Sequence, residues 1–339
     1  MTGEEILRTS RPEKLFSGEL ALAKHQYLSY VKTWHPDRHG GDKFASDVLA
    51  QINVLYDDAV RRITDGTWGG KSSFRFDLSD GKHVDVQYHV SRPFELGQMY
   101  IADTHVTFAV AKEHTDLFEN AVNRIKGLTY ANDKMRAEIS RCIPSEIKTL
   151  IGVDGRRFLY IRKTPDLLPL RDVYEHLRLH PDGFDERHAA WIGSSLHNLA
   201  CYFSWAKLVH HDISLDTYFI SPKHHGGALL GGWWYSKSVE QSVSVVPRRT
   251  HDYLPWDVRK DKRASFLTDQ ELVRATVREL LGDATGASLK KCELTDWLKQ
   301  SASGSAVNLY KEWYAVLKKK FGERRFTKLE LVADQLYER

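Results

Sequence analysis

The sequence predicts two domains: a small all-α hairpin at residues 1–66, then a linker at 67–74 and a larger α+β domain. The larger domain divides into a β-rich part with one or two helices, 75–165, and a mainly helical part, 166–339. Three observations predict this. Apolar residues recur at three- and four-residue steps before residue 64, the period switches to two after residue 73, and the helical period returns beyond about residue 170. A chain of 339 residues is long enough for two domains or three small ones.

Within Glu19–Trp34, the apolar positions Ala23, Tyr27, Tyr30, Val31 and Trp34 share a face, and Lys24, His25 and Lys32 occupy the other. The run His35-Pro36-Asp37-Arg38 breaks this helix, because proline lacks an amide donor and restricts the residue before it. A second helix begins near Lys43, with Phe44, Val48, Ile52, Leu55, Tyr56 and Ala59 on its apolar face. Thr64–Ser73 is rich in Gly, Ser and Thr and reads as linker. Phe74, Phe76 and Leu78 then alternate with polar residues, Asp80-Gly81 supplies a tight turn, and the alternation runs on through Val84, Val86, Tyr88 and Val90. Short strands follow at Met99–Ala102, Val106–Ala111, Thr149–Val153 and Phe158–Arg162, interrupted by a helical stretch over Thr115–Arg141 that divides near Leu128–Asn132. Inside the helical part, 217–250 is the exception: it mixes β-branched and aromatic residues with Gly226-Gly227 and Gly231-Gly232.

Apolar residues at 42% and charged residues at 28% are the balance of an ordinary globular chain with enough material for its cores. A formal net charge of +4 argues against wholesale nucleic-acid binding, and Lys318-Lys319-Lys320 and Arg324-Arg325 read as solvated helix faces. The three cysteines, Cys142, Cys201 and Cys292, are far apart and odd in number, which implies no disulfide framework and fits a reducing compartment. Met1–Pro12 has no apolar core of the signal-peptide kind, and no apolar run is long enough to span a bilayer. A cytoplasmic protein with no membrane partner is the expectation. His210-His211 and His224-His225 have no further Cys or His at ligand spacing, so no metal site is expected.

Two antiparallel amphipathic helices bury facing stripes and leave their connecting turn at one end. Here that turn projects His35 and Asp37 beside a basic helix face, a charge pattern that steers and orients an acidic partner surface, while Pro36 stiffens it. The segment, roughly 13–63, resembles the J-domain family. The resemblance is carried by Tyr27, Tyr30 and Trp34 ahead of His35-Pro36-Asp37-Arg38, the glycines and Asp42 after it, and Ile52-Asn53 with Tyr56 in the next helix. It implies that His35, Pro36 and Asp37 stimulate ATP hydrolysis by a DnaK-type chaperone, with Lys24, Lys32 and Arg38 on the docking face. The family's short first helix is abbreviated to about Pro12–Phe16. The residues alone leave open a helical hairpin that only happens to carry this tripeptide.

Val209–Ile220 contains His210-His211-Asp212-Ile213, three residues, and then Thr217. This resembles a protein-kinase catalytic loop, whose pattern is His-Arg-Asp-Leu, three residues, and Asn. The resemblance implies a bilobal protein-kinase-like fold over roughly 75–285. It puts Asp212 at the catalytic aspartate and Thr217 at the metal-holding asparagine. Lys112, in Phe108–Lys112, falls at the ATP-binding lysine, with Glu138 as its ion-pair partner and Glu119 as competitor. Asp269, on the helix after Thr268, falls at the acid that braces the catalytic loop, and Gly97 is the one glycine left of the phosphate-binding loop. The departures decide the chemistry. Where the family has Asp-Phe-Gly, this chain has Ala228–Trp234, without an acid, so magnesium has no protein anchor. A pseudokinase is the expected reading, with ATP contact open but without the usual magnesium site. The rival is an active atypical kinase that borrows a metal acid, Asp216 being the nearest. The combined expectation is an adaptor that brings a DnaK-type chaperone to a client protein the sequence does not identify.

Overall fold

The computed structural model describes all residues except 10, 65–67, 69–71, 180–182, 324–326, 328 and 338–339, and the side chain of Asp334. Arg324 and Arg325 of the expected basic run lie outside the described residues. Two compact units form: residues 1–115 with 147–164, and residues 116–146 with 165–339.

The first unit opens with α1 (Gly3–Arg8), capped reciprocally by Thr2 and Glu5. A 3-10 turn at Pro12–Lys14 stands where the abbreviated first helix is expected. Next come α2 (Leu20–Trp34) and α3 (Lys43–Thr64), antiparallel partners. Their shared core is Ile6, Leu15, Phe16, Ala23, Val48, Ile52, Leu55 and Ala59. Each of the larger aliphatics contributes about 1.5–3 kcal/mol on burial. The register of the pair is fixed by Tyr27, which stacks on Tyr56 at 4.0 Å and donates its hydroxyl to Asn53 at 3.1 Å.

Strands β1 (Ser72–Asp77) and β2 (His83–Tyr88) form the expected hairpin, with Gly81 at φ +82° in its turn. Of the expected linker, 67 and 69–71 lie outside the described residues, and β1 already begins at Ser72. The alternation predicted to run on to Val90 breaks at His89, where the chain leaves the hairpin for a second sheet. That sheet is antiparallel, with five strands: β3 (Val90–Phe94), β4 (Gly97–Ile101), β5 (His105–Val110), β6 (Ile147–Ile151) and β7 (Arg157–Arg162), in the order β3-β4-β5-β7-β6. The hairpin lies across one face of this sheet. Phe76, Leu78, Val86 and Tyr88 pack on Tyr100, Ala109 and Phe158, with Val54 of α3 at the edge of the cluster.

The second unit begins with α4 (Thr115–Lys126) and α5 (Asp133–Ile139). Sequence places these helices with the β-rich part, 75–165, but they are tied to the helical unit. Asn120 donates to the carbonyls of Trp234 and Ser236, and Arg124 donates to the Ser238 hydroxyl and to Gln241. The remainder runs β8 (Leu168–Pro169), α6 (Leu170–Arg178), α7 (Glu186–Trp205), β9 (Leu208–Val209), β10 (Tyr218–Ser221), β11 (Gly226–Leu229) and β12 (Lys237–Ser238). It continues as α8 (Arg248–Tyr253), α9 (Trp256–Asp261), α10 (Phe266–Leu280), α11 (Glu293–Lys299), α12 (Ala306–Phe321) and α13 (Ala333–Tyr337). Helix α7 packs on α10 and α12 at Gly193, where a Cβ would come within 2.7 Å of Trp313 and 2.9 Å of Val277. Among the described residues, no helix is long and apolar enough to cross a membrane.

Candidate functional site

The His35 turn is an ordered structure. His35 ends α2 and caps a 3-10 helix, Pro36–His39. Its Nδ1 accepts the Asp37 amide at 3.3 Å and lies 3.5 Å from the Asp37 carboxylate. Gly40 and Gly41 take φ +62° and +77° and bring their amides back to the Pro36 carbonyl, a conformation that favours glycine. His39 closes the turn from below, stacking on Trp34 and hydrogen-bonding the Thr33 carbonyl at 2.9 Å. His35, Asp37 and Arg38 are exposed, as are Lys24 and Lys32 on α2, and Pro36 is half-buried.

In the second unit, Asp269 of α10 is wholly buried and accepts the amides of His210 at 2.8 Å and His211 at 2.9 Å. Burial pushes its carboxyl up to about 7 against the pull of these two donors. His211 holds φ +67°, an uncommon value for a residue with a side chain. It is kept there by Asp269, by the Tyr235 carbonyl on its Nδ1 and by Thr250, which donates to its carbonyl at 2.6 Å. Asp212 follows, half-buried. Thr217 closes the loop: its hydroxyl donates to the Asp212 carbonyl at 2.8 Å and accepts the Ser214 amide at 3.0 Å. Asp216 is held bidentate by Arg171, at 2.9 and 2.8 Å, and Arg171 also pairs with Glu279, which Arg249 shares.

The residues beside this loop were not singled out as site residues in the sequence. The amides of Leu230 and Gly231 both donate to the Thr217 carbonyl at 3.1 Å, which brings Gly231 against Thr217. A Cβ on Gly231 would lie 3.2 Å from the Thr217 Cα. Gly232, at φ +79°, sits so near that a Cβ would be 2.7 Å from Asp212 Oδ2. Trp233 is buried behind them. It meets the His210 ring edge-on at 4.9 Å, and its indole donates to the Leu229 carbonyl at 3.0 Å.

The three expected nucleotide contacts, Gly97, Lys112 and Glu138, stand as follows. Gly97 opens β4 where a Cβ would fall 2.0 Å from the Ala109 carbonyl oxygen, so glycine is required by strand packing. The turn before it is only Glu95-Leu96, with the Leu96 carbonyl taken by the Ala111 amide. Such a turn carries a carboxylate where a phosphate cradle needs outward amides. Lys112 lies beyond β5, exposed at the start of a 3-10 turn, Lys112–His114, with its stem against Gly155. The strand itself alternates Val106, Phe108 and Val110 on one face, all buried and apolar. Glu138 is exposed on α5 and Glu119 on α4, whose buried positions are Phe118, Ala121, Val122 and Ile125. Among the described residues, no group of three or more His, Cys, Asp or Glu could hold a metal ion.

No family model matches the chain, and no curated protein matches it. Solved structures do. The fold is similar to that of vaccinia related kinase 3, with a TM-score of 0.50 at 13% identity over 73% of this chain and 92% of that one. It is similar also to the ROP18 kinase domain in complex with AMP-PNP and sucrose, with a TM-score of 0.50 at 14% identity over 79% of this chain and 90% of that one. At such identities the likeness shows the fold alone. The chain has a mixed α+β, protein-kinase-like fold, preceded by helices at its N-terminus.

Proposed function

We propose that the chain is a J-domain-type co-chaperone whose kinase-like part is a catalytically silent scaffold for a client protein. The observation that carries this reading is the His35-Pro36-Asp37 turn: ordered, exposed at its two ionisable residues, and continuous with the exposed Lys24 and Lys32 of α2. A DnaK-type chaperone would meet this surface, with Arg38 at its edge. The setting would be a reducing compartment, the cytoplasm being the proposed one, and neither nucleic acid nor membrane is a proposed partner.

Silence in the kinase-like part is supported by three positions that a magnesium–phosphate site would draw on. Thr217 spends its hydroxyl on its own loop, Asp216 is bound to Arg171, and a side chain at Gly231 would press on Thr217 at 3.2 Å. The residues present therefore do not fit the metal, and any ATP contact would be made without it. The retained Asp212 and Asp269 then serve loop architecture, and the active-kinase rival loses its borrowed acid.

The test is stimulation of a DnaK-type chaperone's ATPase by the purified full chain. Stimulation is expected, with His35→Gln reducing it to the basal rate while the circular dichroism spectrum is unchanged. Equal stimulation by the variant and the parent chain would falsify the reading.

A further inference from the structure

Helix α3 is buried on two sides. One side, Val48, Ile52, Leu55 and Ala59, meets α1 and α2. The other, Gln51, Val54, Asp58 and Arg62, recurs at steps of three and four and faces the strands. At its centre the Gln51 side chain is 0% exposed. Its amide nitrogen donates to the carbonyls of Thr9 at 2.8 Å and Ser91 at 3.0 Å, and its oxygen accepts from Gln98 at 3.1 Å. One side chain thus joins the segment after α1, strand β3 and strand β4 to α3. Two to three turns further on, Arg62 pairs with Asp58 at 2.9 Å and Glu13 at 3.0 Å, and Arg61 bonds both Asp58 and the Ser73 carbonyl. At the opposite end of α3, beside the His35 turn, Lys43 stands 4.0 Å from Glu95 in the β3–β4 turn.

We infer that the helical hairpin and the five-stranded sheet are one cooperative body, and that Gln51 is the positioning residue that fixes the His35 turn on it. A buried amide that makes three hydrogen bonds inside protein specifies a single packing, because any slip strands three backbone or side-chain partners without water. Helix α3 is the anchored member and α2 the exposed one, so the turn between them is presented in a fixed attitude. A chaperone docked there would be held rigidly against the sheet rather than on a flexible tether. This last consequence rests on the function proposed above; the coupling does not.

Native-state hydrogen exchange on the full chain separates the two. In the parent chain, amides in the middle of α3 and in β3–β4 are expected to exchange through one opening, with protection equal within a few-fold. In Gln51→Ala both are expected to open together, about 10- to 100-fold more readily, since three partners lose their bonds. Stimulation of a DnaK-type chaperone by that variant is expected to fall although His35 is untouched. If α3 in the parent chain opens more than 10-fold more readily than β3–β4, the inference is overturned. It is equally overturned if Gln51→Ala loosens α3 and leaves the sheet unchanged. The parent comparison decides the matter even where the variant does not fold. Joint opening in a chain that stimulates no chaperone would uphold the coupling and remove the proposed function alone.

Discussion

Gly231 and Gly232 govern the candidate phosphotransfer loop by what they exclude. A side chain at either position would press on the two residues that resemble catalytic ones: 3.2 Å from Thr217 in the first case, 2.7 Å from Asp212 in the second. Thr217 cannot give way easily, because its hydroxyl and carbonyl are both tied into the loop. Restoring the missing acid should therefore fail as a rescue. Gly231→Asp is expected to destabilise the second unit by roughly 1–3 kcal/mol through overpacking. It should also confer no magnesium-dependent thermal shift with ATP, and none is expected of the parent chain. A magnesium-dependent shift of several degrees in Gly231→Asp would mean that the loop relaxes to accept a metal, and that only one carboxylate separates it from an active site. None of this was legible in the residues. Sequence shows that an acid is absent near 228–234; only the packing shows how tightly Thr217 and Asp212 press on the positions where one would stand.

At the scale of elements, the stripes that were readable were apolar ones. Val48, Ile52, Leu55 and Ala59 announced the hairpin core, and Phe74, Phe76, Val84 and Val86 announced β1 and β2. The second buried side of α3 was not readable, because its residues are Gln51, Asp58 and Arg62, which are ordinarily solvent residues. Read from apolar stripes alone, residues 1–66 form a domain of their own; the compact unit they belong to runs on through 115 and includes 147–164. In the same way, sequence groups α4 and α5 with their chain neighbours, whereas Asn120 and Arg124 bind α4 to the helical unit and α5 falls in that same unit. The buried charges on α3 lead to a measurable asymmetry. Asp58 is desolvated, which raises its carboxyl, and Arg61 and Arg62 hold it back. Removing one partner of such a pair leaves a buried charge, so Arg62→Ala is expected to cost about 3–5 kcal/mol. Replacing both Asp58 and Arg62 by alanine should cost markedly less than the sum of the two single alanine changes. Urea unfolding of the four chains in a double-mutant cycle measures this; additive losses would mean that the ion pair carries no coupling.

The whole molecule places its buried titratable groups unevenly, and this sets how its stability follows pH. In the second unit, burial pushes His197 and His210 down to about 3 and His211 down to about 4, so all three stay neutral in the folded unit at pH 5. The unfolded chain protonates them near 6.5. Their stabilisation is complete above pH 6.5 and is lost as pH falls toward 3–4. Asp269, pushed up to about 7, works in the other sense: it holds a proton in the folded unit that the unfolded chain releases above about 3.8, so its contribution is present in acid and lost as pH rises through 7. Three histidines outweigh one aspartate. At about 1.4 kcal/mol per group per pH unit, the second unit should lose roughly 2–4 kcal/mol between pH 6.5 and 5. The pair Trp297 and Trp313, packed on His197, makes the loss visible by fluorescence during urea unfolding. Replacing His197 by Gln should remove about a third of the histidines' share of the pH dependence, since glutamine brings no titration of its own. A second unit whose midpoint is the same at pH 6.5 and pH 5 would mean that these rings take up protons in the folded state, and that the buried cluster around α7 and α10 admits water.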